Sequence, residues 1–339
     1  MKHVYMRIYD ERIHDMKKHF LKICFLGLAV AQGLLWLHMK PVAGNTKTST
    51  FGFCKNEPSS VINIPRIVNV SEGVTAEDTY QTNHWAAVHF SPVPLFWINT
   101  HDPVHHDIYI SGSIHHQRDM PWDHYIWNLF VRILSKERPG QLVVDVGANI
   151  GYFSLQAAAL GFRVLSFEPM SRNAAKLCDS IVRNHFEDRI TLIQNAVTYD
   201  AGGRVQLQHT HPTNQGNGKI QSTAVQAEYG VETVTLDSVV HEDVLLMKVD
   251  VEGFEGFVLN GASQLLCRHI VKFITIEFSK DTQTNPTCSA AEMFRVLENI
   301  GYVISDIVPD APRLQWSEAA QFPPNLLFRL MDTSRNCPV

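Results

Sequence analysis

The chain has 339 residues, 45% of them apolar and 19% charged, an ordinary globular composition that excludes a disordered or collagen-like protein. Its formal net charge of −5 excludes a general nucleic-acid binder, because no excess of cations is available to neutralise a phosphate backbone.

At the amino terminus an apolar run over 23–39 is interrupted only by Gln32 and His38. It is slightly short of the about 20 residues that span a bilayer, yet no polar face appears along it. Lys2, Arg7, Arg12, Lys17, Lys18 and Lys22 precede the run, while only Lys40 and Lys47 follow it closely. The positive-inside bias therefore predicts an uncleaved signal anchor, type II, with the remainder of the chain in the lumen of the ER or Golgi. A signal peptide cleaved near Val42-Ala43-Gly44 is the alternative. On this reading residues 1–40 are tail and anchor, 41–120 are a stem and a stretch without readable periodicity, and 121–339 are the catalytic domain. The sequon Asn69-Val70-Ser71 suits a lumenal face.

Cys54, Cys178, Cys267, Cys288 and Cys337 follow the anchor, odd in number and without metal-type spacing, so they leave the compartment open. Cys178 falls on the apolar face of a predicted helix and reads as a buried thiol. Histidine is abundant, at 17 residues. The pairs His105-His106 and His115-His116 do not chelate by themselves, because neighbours on a strand face opposite ways, and no carboxylate spacing completes a site. No metal is expected from this sequence.

The pattern becomes regular from Pro121. Trp122, Ile126, Phe130 and Ile133 lie near helical spacing, with Trp122 and Trp127 read mainly as packing residues. Strands are then predicted at 142–146, 163–169, 190–197, 244–251, 272–279, 302–308 and 325–331. Amphipathic helices separate most of them, and Ser289 with Glu292 forms a capping box at the last. Apolar strands alternating with helices predict an α/β fold, a doubly wound and mostly parallel seven-stranded sheet with one antiparallel member. Such a sheet binds its ligand at the carboxyl ends of the strands, near the switch point.

One turn carries the cofactor reading. In "VVDVGANIGYFSLQ" (143–156) a strand runs into Gly147 and Gly151 and then into a helix. A dinucleotide site would show G-x-G-x-x-G over a pyrophosphate; here the spacing is G-x-x-x-G, with Asp145 two positions before the first glycine. An acidic residue there suits a cofactor bearing an ammonium and a sulfonium, which points to S-adenosylmethionine. Asp145, Gly147, Asn149 and Gly151 are the expected contacts of the turn. Glu168, ending the second strand, is expected to accept ribose hydroxyls, and Asn195, ending the third, to touch the adenine edge.

The blocks "VVDVGANIGYFSL", "FEP", "NAV", "VTLDSV", "LMKVDVEGFEGFVLNGASQLL" and "ITIEFS" follow in that order and resemble the FkbM-type S-adenosylmethionine-dependent methyltransferases. The resemblance spans 121–332. It implies a class I methyltransferase (Rossmann-like) fold and methylation of hydroxyl groups, often on sugars or glycosylated natural products. Joined to the predicted anchor, it implies a glycan or glycoconjugate acceptor in the secretory pathway.

Methyl transfer is an in-line displacement that gains most from alignment of the reacting atoms at about 3 Å. A sugar hydroxyl must also lose its proton, which favours a carboxylate or histidine within hydrogen-bond reach. Asp250 in "KVDVEGFE", as base, metal ligand or anchor of the cofactor's ammonium, and Glu252 beside it are the first candidates, Glu277 at the end of the next strand is the second, to hold the substrate hydroxyl, and Asp237 reads as a structural cap. The polar stretch over 208–224 adds His209 and His211 as candidate bases. Two other readings stay open on sequence alone: a nicotinamide-dependent oxidoreductase, disfavoured by the missing third glycine and by Asp145, and a non-catalytic binding protein on the same fold.

Overall fold

A computed structural model describes residues 65, 67–68, 83–116, 119–209, 213–215, 218–222, 230–285, 288–331 and 337. The apolar run at 23–39, the sequon and His211 lie outside these residues. Among the described residues no helix is long and apolar enough to cross a membrane.

An antiparallel hairpin of β1 (His84–Val88) and β2 (Phe96–Thr100) comes first, then α1 (Ile110–His116) and α2 (His124–Leu134). The alternating region begins with β3 (Leu142–Val146), α3 (Tyr152–Ala159), β4 (Arg163–Phe167), α4 (Ser171–Asn184) and β5 (Ile190–Ile193). Four short strands follow: β6 (Ala196–Val197), β7 (Arg204–His209), β8 (Gly218–Ser222) and β9 (Val231–Val234). The chain then forms β10 (Val244–Val249), α5 (Glu255–Asn260), α6 (Ser263–Arg268), β11 (Val271–Glu277), α7 (Ala290–Ile300), β12 (Tyr302–Asp306) and β13 (Asn325–Leu330).

The main sheet has seven strands in the order β12-β13-β11-β10-β3-β4-β5. Only β13 runs antiparallel to its neighbours; the remaining pairs are parallel. This is the doubly wound, class I methyltransferase-like arrangement, with its switch point between β3 and β10. Both central strands are buried throughout, as covering by helices on both faces demands. At α7 the Ser289 side chain accepts from the Glu292 N–H and Gly301 closes the helix at φ 109°, so the local signals match the observed ends.

The stretch 190–197 is not one strand. It breaks at Gln194 and Asn195, and β6 leaves the main sheet to pair with β9 in a second, four-stranded sheet, β6-β9-β7-β8. Much of the polar excursion is thus the hairpin β7–β8. Val205 and Leu207 alternate with Arg204, Gln206 and Gln208, a half-buried strand pattern that the Gly- and Asn-rich tip obscured.

Residues 83–116, unreadable by periodicity, share the core of the main domain. Val88, Phe96 and Ile98 are fully buried together with residues of α2, α3 and α4. The Trp97 N–H donates to Asn184 Oδ1 at 2.7 Å and the Asn99 N–H to Ser180 Oγ at 2.9 Å, while Asn99 Nδ2 donates to Asp179 Oδ2 at 2.8 Å. The hairpin is therefore pinned to α4 by polar contacts that no hydropathy pattern reveals.

Cys267 and Cys337 form a disulfide. Cys288 is also disulfide-bonded, and Cys178 is a buried thiol that forms no disulfide. Asp237 caps α6, accepting from the N–H groups of Leu265 at 2.7 Å and Gln264 at 3.0 Å.

Candidate active site

A cavity of about 430 Å³ opens at the carboxyl ends of β3, β4, β10 and β11, at the switch point and within the size range of small-molecule sites. Gly147, Asn149, Glu168, Asn195, Asp250, Glu252 and Glu277 all line it.

The glycine turn is built by close approach. Gly147 has φ +81°, and a Cβ there would sit 1.9 Å from the Asp250 carbonyl oxygen. Gly151 has φ +89° and faces Leu177 of α4, 2.2 Å from where a Cβ would stand; it seats the turn against α4 and does not line the cavity. We expect Gly147→Ala to abolish cofactor binding, because relieving that contact must push apart the ends of β3 and β10. A Gly147→Ala protein that binds as wild type would show that the close approach is not needed.

Glu168, 4% exposed, accepts from the backbone N–H of Asn149 at 2.8 Å and of Met170 at 2.9 Å. Burial pushes its carboxyl up to about 7, against the lowering effect of these donors. Each oxygen accepts one backbone donor, which leaves acceptor capacity on both for a pair of hydroxyls. Asn195 is fully buried and donates to the Glu232 carbonyl at 3.1 Å.

Asp145 does not line the cavity, contrary to its expected contact with the cofactor. It is 1% exposed, accepts from Ser154 Oγ of α3 at 2.6 Å and lies 3.8 Å from Lys248 Nζ. Strand alternation turns it beneath α3, away from the strand ends. Lys248 bridges Asp145 and Asp250, reaching Asp250 Oδ2 at 2.9 Å. Burial lowers the Lys248 pKa, but the charges of Asp250 and Asp145 together outweigh it and hold the ammonium form. A lysine inside the otherwise apolar "VLLMKV" was the available signal.

At the far wall, ligand oxygens of Asp250, Glu252 and Glu277 lie within 4.8 Å of one another. Sequence spacing could not show this group, since Glu277 arrives from a different strand. The three are close enough to share one divalent cation or to bracket one hydroxyl. They are the only such cluster of His, Cys, Asp and Glu among the described residues, so neither histidine pair forms one. Glu277 is pushed up to about 9, chiefly by burial and then by the charges of Asp250, Glu252 and Glu255, so it carries a proton at neutral pH.

The loop holding Asp250 and Glu252 is organised by Glu255. Its Oε1 accepts from the N–H groups of Val251 and Gly253 at 3.0 and 3.2 Å, and its Oε2 from Thr282 Oγ1 at 2.6 Å. Asp123, also missed, lines the cavity at the start of α2, and burial raises its pKa. Asp123, Asn149 and Glu252 are three of the five non-glycine residues with positive φ among those described, and all three line this cavity. Backbone strain concentrated in one place is the mark of a functional site. Trp122 lines the cavity too, edge-on to Tyr152 at 5.4 Å, whereas Trp127 is a core residue.

Residues 145–304 match the model of the methyltransferase FkbM domain. No curated protein matches the chain. Among solved structures, an rRNA methylase from Streptococcus thermophilus is 12% identical, covering 64% of this chain and 100% of its own, with a TM-score of 0.35. A methyltransferase from Geobacter sulfurreducens is 14% identical over 60% of this chain and 77% of its own, TM-score 0.34. A Streptococcus mutans protein in complex with SAH is 8% identical over 60% of this chain and 96% of its own, TM-score 0.36. At such scores these likenesses carry no argument.

Proposed function

We propose that this S-adenosylmethionine-dependent methyltransferase, whose residues 145–304 match the FkbM methyltransferase domain model, methylates a hydroxyl group of a sugar or glycoconjugate inside the secretory pathway. The observation that carries the reading is one cavity with Glu168 at one end and the Asp250, Glu252 and Glu277 carboxyls at the other.

S-adenosylmethionine supplies an electrophilic methyl on a sulfonium sulfur. Glu168 would accept the two ribose hydroxyls with its remaining lone pairs, Asn195 would meet the adenine edge, and Gly147 and Asn149 would shape the turn between them. Asp250 would face the acceptor hydroxyl and take its proton as the methyl carbon–oxygen bond forms and the methyl carbon–sulfur bond breaks, with the neutral thioether S-adenosylhomocysteine as the leaving group. Lys248, 2.9 Å away, fixes the orientation of that carboxylate. Protonated Glu277 donates a hydrogen bond within the group, and Glu252, held at φ 57°, accepts from a neighbouring hydroxyl. Carboxylates for hydroxyls beside aromatic faces such as Trp122 and Phe254 are the chemistry of sugar recognition. Two disulfide-bonded sites, at Cys267–Cys337 and at Cys288, favour an oxidising compartment.

The test is transfer of a labelled methyl group from S-adenosylmethionine to a panel of free glycosides, glycoproteins, phenols and lipid alcohols, with and without a chelator. Label in an alkali-stable ether on a glycoside or glycoprotein is the expected result. Label only on phenols or lipids would overturn the sugar assignment, and loss of transfer with the chelator would move proton removal from Asp250 to a metal-activated hydroxyl.

A further inference from the structure

Glu168 is supported from outside the matched domain. Besides its backbone donors it accepts from Asn173 Nδ2 at 3.5 Å, and Asn173 Oδ1 in turn lies 2.8 Å from His101 Nε2. His101 follows β2, in the segment 83–116 that lies before the matched residues. All three side chains are buried: His101 is 9%, Asn173 3% and Glu168 4% exposed.

The chain of contacts has a direction. Asn173 faces the ring nitrogen with its oxygen, so that nitrogen carries the hydrogen and donates. The amide NH₂ is left to donate to Glu168 and to the Gln215 carbonyl at 3.3 Å. With the amide turned over, its oxygen would confront the carboxylate and its NH₂ the ring N–H. The backbone at His101 is itself fixed: its main-chain N–H donates to Ser111 Oγ at 3.1 Å, and Ser111 Oγ donates to Asp107 Oδ2 at 2.6 Å. Tyr109, Ile110 and Ser113 of the same segment line the cavity.

We propose that His101 is a positioning residue for cofactor binding: its Nε2–H sets the sense of the Asn173 amide, which then donates to Glu168 and aims that carboxylate at the ribose hydroxyls. This rests on the reading of Glu168 as the ribose carboxylate. Burial lowers the His101 pKa, opposed by the bond to Asn173 and by Asp107 and joined by Lys176 and Arg172, so the ring is neutral at pH 7 and the single N–H has a defined place. Glu168 faces Asn173 from α4, the Asn149 and Met170 N–H groups, and the charge of Asp145 from β3.

The experiment is calorimetric titration of S-adenosylmethionine into the full chain, with steady-state rates, for wild type, His101→Leu, His101→Gln, Asn173→Asp and Glu168→Gln. His101→Leu should raise both Kd and KM for S-adenosylmethionine about tenfold, leaving kcat at saturation and the acceptor KM within about twofold. His101→Gln, whose amide can still donate, should recover most of the loss. Wild-type affinity should fall as pH drops through about 7, since a protonated Glu168 cannot accept both hydroxyls. Losing the Asn173 donor should move that midpoint to higher pH. Should His101→Leu fail to fold, Asn173→Asp, which sets an acceptor against Glu168, carries the same expectation. Native melting with unchanged Kd and midpoint in the His101 and Asn173 variants, beside a Glu168→Gln that loses affinity, overturns the positioning role alone. Undiminished affinity in Glu168→Gln overturns the cofactor reading itself.

Discussion

Asp250→Asn lowers kcat by about 10²–10⁴-fold, the usual cost of removing a positioned base, while S-adenosylmethionine affinity changes little. The asparagine keeps the shape of the side chain and the cavity wall, so only proton acceptance is lost. The partition between kcat and Kd separates two roles. If Asp250 instead holds the cofactor's ammonium, Kd rises and the rate at saturation survives. Glu252→Gln serves as the comparison: a side chain that only orients a second hydroxyl raises the acceptor KM and leaves kcat within about tenfold. The melting temperature of Asp250→Asn must be followed alongside, because Lys248 keeps only Asp145 as its anion.

How far the sequence foretold this site follows from which residues are local to one another. The turn 147–151, Glu168 and Asn195 sit at the ends of successive strands, where apolar runs stop and a glycine or polar residue begins. Such boundaries are written in the chain, so the doubly wound sheet and most of its cavity wall could be read directly. Asp145 was misplaced because its spacing from Gly147 is equally compatible with facing the ligand or lying under α3; only the partner Ser154, nine residues on, decides. Glu277 and Asp250 meet through the β10–β11 pairing, and that register is not visible in either segment alone. The hairpin β1–β2 was opaque for a further reason. It is held to α4 through Asn99, Asp179, Ser180 and Asn184, and side-chain hydrogen bonds across such separations leave no periodic trace. The cysteines divide the same way: the buried thiol of Cys178 was legible from its place on an apolar helix face, whereas the pairing of Cys267 with Cys337, 70 residues apart, leaves no local trace.

The largest stability effect should come from Lys248→Met. Lys248, in the cavity wall, is 5% exposed, and its removal leaves Asp145 as a buried carboxylate whose Oδ1 has no hydrogen bond. Breaking such a pair by deleting one partner costs about 3–5 kcal/mol, mainly because the remaining charge is uncompensated. Asp250, more exposed at 40%, can turn to water and should contribute little to that loss. Adding Asp145→Asn to the Lys248→Met variant should therefore restore most of the stability, which a double-mutant cycle in urea reads as a large coupling energy. The pH dependence has a definite sign. Burial already raises the Asp145 pKa in the folded protein, and Lys248 opposes that shift; without the lysine the folded value climbs further above the unfolded one. The folded state then binds more protons than the unfolded, so the variant gains stability as pH falls and loses it as pH rises through the folded value. The deficit against wild type should be smaller at pH 5 than at pH 8. An equal deficit at both pH values, with no rescue by Asp145→Asn, would mean that Lys248 supports the fold through its ammonium over the Phe153 ring, 5.5 Å from the ring centre, and that the ion pair is incidental.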